Sequence, residues 1–270
     1  MQSSITTVPI RRVQGERASV AQDLLAVEEP LEIVVNGRNL AVTMRTPGND
    51  RALAAGFLFT EGIVREPTQI QTITESPNRI EFAASIAEFE ERRFYLTSSC
   101  GVCGKASIEA LESIGCPFLD RSGPEIEATL ISRLPSILRA RQAVFEHTGG
   151  LHAAALFDVQ GELLDLQEDI GRHNAVDKLG GQAFLNHSVP LNRHILMLSG
   201  RAGFELIQKA LMVGIAIVAA VGAPSSLAVE TALRYGMTLI GFVREDRYNV
   251  YSGANRITFS SVPPSAPRNS

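Results

Sequence analysis

The strongest constraint on the fold lies downstream, where short apolar runs alternate with helix-like segments. His194 to Leu198, Ile215 to Val221 and Thr238 to Val243 are strand-length runs rich in aliphatic residues. Between them, Phe204 to Met212 and Ser225 to Tyr235 read as helices. This alternation predicts an α/β layer of parallel strands joined by crossover helices. The runs at Ile215–Val221 and Thr238–Val243 suit burial on both faces. A strand pair, His152 to Asp158 and Leu163 to Gln167, and a helix from Ala175 to Leu185 lead into the series.

The upstream half has a different texture. Leu31-Glu-Ile-Val-Val35 and Leu40-Ala-Val-Thr-Met44 flank Asn36-Gly37, a strong hairpin signal. Asn49-Asp50 opens a helix-like stretch through Phe59 that stops near Gly62. Arg79 to Phe82 and Arg93 to Thr97 read as strands, Gly104 to Ile114 as a helix. A further helix is expected from Pro135 to Phe145, with the proline in its first turn. The expected organisation is an unpacked N-terminal segment over 1–25 and a lobe over 26–146. An α/β core over 147–260 and a tail over 261–270 follow.

At 270 residues, 45% hydrophobic, the chain is long enough for a substantial core. Its net charge of −4 gives no basic field for nucleic acid, so any anion must be held by local charge or helix N-termini. The longest apolar run, Leu211 to Ala223, falls short of the ~20 residues that span a bilayer. No signal peptide is visible, so a cytoplasmic location without membrane insertion is expected. Three cysteines cannot all pair within one chain, which suits free thiols in a reducing compartment.

Two of those cysteines stand in Ser98-Ser-Cys100-Gly-Val-Cys103-Gly-Lys105, between an expected strand and an expected helix. A helix N-terminus and Lys105 both favour the thiolate, the form that attacks sulfur. A structural zinc site needs about four ligands, and Cys116 adds no fourth. A zinc deaminase needs H-x-E before P-C-x-x-C; here Ser99 replaces the proline and no such motif precedes. A thioredoxin-type couple fits the spacing but not the position. Two buried cysteines acting as small apolar residues is the plain alternative. Pattern alone leaves sulfur chemistry level with the metal and core readings together.

Several segments fall where strands hand over to helices: Glu168-Asp-Ile-Gly-Arg-His-Asn174, Ser199-Gly-Arg-Ala-Gly203 and Ala223-Pro-Ser-Ser226. In open α/β sheets ligands sit beyond the carboxyl ends of strands, where helix N-termini can bind phosphate. Arg201, Arg172 and His173 can add charge, whereas Ser225, Ser226 or Asn174 can be ordinary helix caps. Together these loops point to an anionic, phosphate-bearing ligand. His152 reads as a structural histidine. The charged run Phe242-Val-Arg-Glu-Asp-Arg247 leaves the last clear strand at the same edge and is a further site candidate.

Five segments together resemble the successive motifs of the FdhD family, the formate dehydrogenase accessory sulfurtransferases. They are Thr97-Ser-Ser-Cys-Gly-Val-Cys-Gly104, Thr148-Gly-Gly-Leu-His152, Glu168 through Lys178, Ser199-Gly-Arg201 and Ala223 through Ala228. The resemblance spans Pro30 to Phe259 and keeps the family's order. It implies a cytidine deaminase-like α/β core with a smaller second lobe, and a homodimer. It implies a sulfurtransferase acting as persulfide carrier. A cysteine desulfurase would load sulfur onto Cys100, with Cys103 assisting release or relaying. The acceptor would be the molybdenum bis-molybdopterin guanine dinucleotide cofactor of a formate dehydrogenase apoenzyme. Cofactor contacts would come from Phe242, Val243, Arg244, Glu245, Asp246 and Arg247, joined by Arg201, Ser225 and Ser226, with GDP as a fragment ligand. No resident metal is expected. The alternatives are a non-catalytic cofactor-holding chaperone and a deaminase-type nucleotide enzyme.

Overall fold

A computed structural model describes residues 3–86, 111, 112 and 114–259. Cys100, Cys103, Lys105, the strand expected at Arg93–Thr97 and most of the helix expected from Gly104 lie outside the described residues.

The expected alternation appears as β10 (Ile195–Leu198), α5 (Phe204–Met212), β11 (Ile217–Ala220), α6 (Ser226–Tyr235) and β12 (Thr238–Gly241). β10, β11 and β12 run parallel. The full sheet is mixed, however: β8 (His152–Phe157), β9 (Leu163–Asp169) and β13 (Asn249–Ser252) add antiparallel, in the order β13-β12-β11-β10-β8-β9. Tight connections joining β8 to β9 and β12 to β13 leave no room for a crossover, so those pairs must be antiparallel.

Successive side chains of the central strands enter different cores. Leu196, Leu198, Val218, Ala220 and Leu239 face α4 (Arg172–Leu185), α5 and α6. Ile195, Met197, Ile217, Ala219 and Ile240 face α2 (Ala128–Arg141). Double-sided burial explains why these strands lack polar alternation; each large aliphatic residue contributes about 1.5–3 kcal/mol.

The smaller sheet contains β3 (Glu29–Val35), β4 (Arg38–Arg45), β5 (Ile70–Ser76) and β6 (Arg79–Ala84). Asn36 and Gly37 form its expected hairpin turn, with left-handed φ values of 50° and 76°. Helix α1 (Asp50–Thr60) carries this lobe onto α4. The crossing is close. A Cβ on Gly56 would lie 1.9 Å from the Asp177 carbonyl oxygen, and one on Gly181 would lie 1.9 Å from that of Ala52. Phe59 stacks on Phe184 with ring centres 4.6 Å apart, and one apolar core runs through both lobes.

Three expectations change. Residues expected in the unpacked N-terminal segment form a hairpin of β1 (Ile5–Gln14) and β2 (Arg17–Ala26), turning at Gly15-Glu16. Both of its faces are largely exposed, so no apolar alternation announced it. Pro135 lies inside α2 rather than in its first turn, because Ile131, Leu134 and Leu138 bury one helix face on both sides of it. The chain breaks at Gln142 and resumes as α3 (Ala143–Thr148), so the single expected helix is two. By packing, α2 belongs with the larger sheet. Among the described residues no helix is long and apolar enough to cross a membrane.

Candidate functional site

The parallel strands end at Leu198, Ala220 and Gly241 on one edge, and the loops that follow are bonded to one another. Gly222 donates its N–H to Gly200 O (2.8 Å), Ala202 to Ala223 O (3.1 Å) and Ser225 to Ala202 O (3.1 Å). Phe242 donates to Gly222 O (3.1 Å) and Val243 to Ala220 O (3.1 Å). Three separate sequence segments thereby become one shelf, at the place where open sheets bind ligands.

Arg244 straps the shelf. Its Nη1 donates to Val221 O and to Val243 O, both at 2.8 Å. Phe242 beside it is 42% exposed and holds a left-handed φ of 55°. An exposed aromatic residue in that conformation costs energy, about 1–3 kcal/mol, and such strain gathers at functional loops. Of the expected contact residues, Val243 turns its side chain into the core. Ser225 is the cap of α6, its Oγ accepting from Ala228 N at 3.2 Å. Arg201, Ser226, Phe242, Arg244, Glu245, Asp246 and Arg247 remain exposed at the edge.

The antiparallel strands bring further residues to this edge. β8 begins where β10 ends: Ser199 N–H donates to Ala153 O (3.0 Å), and Ala153 N–H to Ser199 Oγ (2.8 Å). His152 therefore lies beside the Ser199–Arg201 loop, and a Cβ on Gly200 would stand 3.3 Å from its Nδ1. Burial lowers the His152 pKa from 6.5, and the charges of Arg172, His173 and Arg201 lower it further, against an opposing pull from Asp169. The imidazole is neutral near pH 7 and stands in a positive field. His173 Nε2 is 2.7 Å from Glu205, a hydrogen bond that holds the Glu205 carboxyl below its ordinary range.

The Glu168–Lys178 segment divides between site and scaffold. Arg172 and His173 contribute to the field at His152. Glu168 accepts from Val144 N and Phe145 N and so holds the start of α3. Asp169 is fully buried, 2.7 Å from Lys178 Nζ, and accepts from Thr46 N, Gly171 N and Asn174 Nδ2. Asn174 is inside α4 and donates to Met44 O; Gly171, not Asn174, precedes the helix as its cap. Burial of this network was not signalled by the charged sequence.

A cleft of about 490 Å³ opens beside the shelf. Its walls include Leu138 and Gln142 from the α2–α3 break, Phe145, His152, Ser199 and Val221. A partly apolar cleft adjoining a cationic ledge suits a ligand with a flat body and phosphate groups. His152, Ser199 and Val221 are common to both, and the apolar strand that His152 begins gave a structural reading only.

A model of the FdhD/NarQ family matches residues 26–258. The sulfur carrier protein FdhD of Streptomyces avermitilis is 49% identical over 267 residues, covering 93% of this chain and 95% of that protein. The protein of the same name from Mycobacterium tuberculosis is 47% identical over 268 residues, covering 92% and 97%. A crystal structure from Desulfotalea psychrophila, described as a formate dehydrogenase accessory protein, superposes with a TM-score of 0.77 at 25% identity. It covers 95% of this chain and 100% of its own.

Proposed function

The chain belongs to the FdhD/NarQ family, and from that membership we propose that it is a sulfur carrier for formate dehydrogenase. The acceptor is the molybdenum bis-molybdopterin guanine dinucleotide cofactor. One structural observation carries the cofactor half of this reading: a cleft and a ledge of Arg172, Arg201 and Arg244 share the carboxyl edge of the parallel strands. The ligand is polyanionic and the protein net acidic, so its attraction has to be local.

The sulfur half rests on Cys100-Gly-Val-Cys103. The Cys100 thiolate attacks the outer sulfur of a cysteine desulfurase persulfide. The outer S–H moves to Cys100 as Cys100–S–SH, and the desulfurase cysteine leaves as thiolate. Release has two routes. In the direct route the S–S bond would break with Cys100 leaving as thiolate, and the two electrons that take the outer sulfur to sulfide would come from the reduced metal of the acceptor; in the other the Cys103 thiolate attacks the inner sulfur. The second route frees hydrosulfide and leaves a Cys100–Cys103 disulfide, which a dithiol reductant reopens. Free thiols suit a reducing compartment such as the cytoplasm. Cys116 is a poor carrier: it is buried, and burial with the nearby Glu61 charge pushes its thiol up to about 12.

Intact-mass analysis after incubation with a cysteine desulfurase and cysteine tests the carrier. Wild type should gain about 32 Da, one sulfur, mapped to the loop and not to Cys116. Cys100→Ala should lose both this gain and activation of formate dehydrogenase. Full activation by the variant would leave only a cofactor-holding chaperone.

A further inference from the structure

Helix α2 borders two separate spaces. Leu138 and Arg139 belong to the cleft beside the shelf. A different stripe of the same helix, with Arg133, Ile137 and Arg141, borders a second pocket of about 230 Å³. Its opposite wall is the β8–β9 turn, with Glu162 and Leu163. Gly161 in that turn holds a left-handed φ of 85°, and a Cβ there would lie 3.5 Å from Leu130, so the turn sits directly against the helix.

The charge of this helix is unlike that of the chain. Ala128–Arg141 contains three arginines and no acidic residue, in a protein whose net charge is −4. Arg139 is turned onto the Phe145 ring, 4.0 Å from its centre. Arg133 and Arg141 are exposed at the second pocket, and among the described residues neither guanidinium has an ion-pair partner. Half-buried Ile137 stands between them. Four residues of helix rise about 6 Å, so Arg133, Ile137 and Arg141 follow one another at about 6 Å along one stripe. In an extended chain, alternate residues share a face at about 6.6 Å. The two periods match.

We propose that this pocket docks an extended acidic segment of a protein partner, with the pattern acidic–x–apolar–x–acidic. Its two carboxylates meet Arg133 and Arg141, and its apolar side chain meets Ile137 and Leu163. Glu162, the one carboxylate in the pocket walls among the described residues, can accept a backbone N–H of the segment. The pattern reads the same in both chain directions. A helix does not fit, because one turn, about 10–12 Å across and 5.4 Å long, occupies upwards of about 400 Å³. The pocket includes neither the shelf nor the cysteine motif, so the inference stands apart from the sulfur-carrier reading and adds a partner contact to it.

Fluorescence anisotropy with a labelled nine-residue peptide tests it. The peptide carries glutamate at its third and seventh positions and leucine at its fifth, with serine and glycine elsewhere. A control of the same composition sets the two glutamates side by side and the leucine at one end. Wild type should bind the spaced peptide about fivefold more tightly than the control. Arg133→Ala and Arg141→Ala should each weaken the spaced peptide about threefold, the worth of one exposed ion pair. The wild-type comparison does not depend on a variant folding. Equal affinity for the two peptides would mean that charge acts without register, and would overturn the pocket. Spaced-peptide binding untouched in both variants, or undetectable in wild type, would overturn it as well. None of these outcomes bears on the sulfur gain at Cys100 or on GDP binding, so failure here leaves the proposed function standing.

Discussion

Helix α4 uses charge in two different ways along its length. At its start, Arg172 and His173 stand near His152 and Arg201, and positive charge outnumbers its partners. One to two turns later, Asp177 and Lys178 are buried and bonded. Lys178 lies 2.7 Å from Asp169, and Asp177 lies 2.9 Å from Lys209, which also meets Thr60 and Glu61 at 3.0 and 3.2 Å. Burial opposes the Lys209 charge, but Asp177 and Glu61 outweigh it and hold its pKa above the ordinary value. The two regions differ in burial: buried, paired charge fixes how the lobes meet, and the partly exposed charge at the helix start is what the proposed function assigns to a ligand.

If that division is right, the largest stability losses come from the seam. Lys209→Ala leaves Asp177 and Glu61 with uncompensated charge and should cost about 3–5 kcal/mol, read by urea denaturation. Lys209→Met with Asp177→Leu should recover part of the loss, because it removes the unpaired charge that is fully buried and leaves only that of Glu61, which reaches solvent. A loss below about 1 kcal/mol in the single variant would mean water reaches the seam and the contrast with the edge is lost. Gly181→Ala comes next. Its methyl group would meet the Ala52 carbonyl at 1.9 Å, so α1 must move away. About 3 kcal/mol is expected, at the upper end of overpacking costs, seen as a lowered melting temperature.

These two regions were unequally legible in the sequence. The edge followed from strand ends: Ser199–Arg201, Ala223–Ser226 and Phe242–Arg247 converge because parallel strands place their carboxyl ends together. The seam did not, because Asp177, Lys178 and Lys209 look like surface charge until the packing of α1 on α4 buries them. The β1–β2 hairpin escaped notice because its exposed faces need no apolar period, and β13 because its strand is short and mostly exposed. His152 and Gln142 needed tertiary structure. Antiparallel β8 carries the first to the edge, and the break after α2 places the second among the residues beside the cleft.

Substitution at the edge should reverse the pattern. Arg201→Ala removes an exposed cation and should change stability by less than about 0.5 kcal/mol. It should weaken GDP binding roughly tenfold, the worth of one charge-assisted hydrogen bond. Arg244→Ala is expected to do more than remove charge, since Val221 O and Val243 O both lose their donor. Calorimetry and denaturation on the same samples separate the effects. A large stability loss in Arg201→Ala would place that residue with the scaffold.

The smallest effect concerns protons at His152. In the folded chain its pKa is lowered, by burial first and then by Arg172, His173 and Arg201, with Asp169 opposing. Just below pH 6.5 the unfolded chain therefore binds more protons at this residue than the folded chain. The stability from keeping the ring neutral is complete above 6.5 and is lost as pH falls toward the lowered folded value. A bound diphosphate reverses the local sign: its negative charge favours the imidazolium, so binding takes up a proton. GDP affinity should rise by about threefold between pH 7.5 and 6.0, a fraction of one pKa unit of coupling. Titration in two buffers of different ionisation enthalpy reads the proton directly, and His152→Asn should abolish the part that belongs to this ring. A residual uptake in that variant would belong to groups other than this ring. Unchanged uptake would remove His152 from the anion's surroundings and shift the ligand toward Arg244 and the Phe242–Arg247 turn.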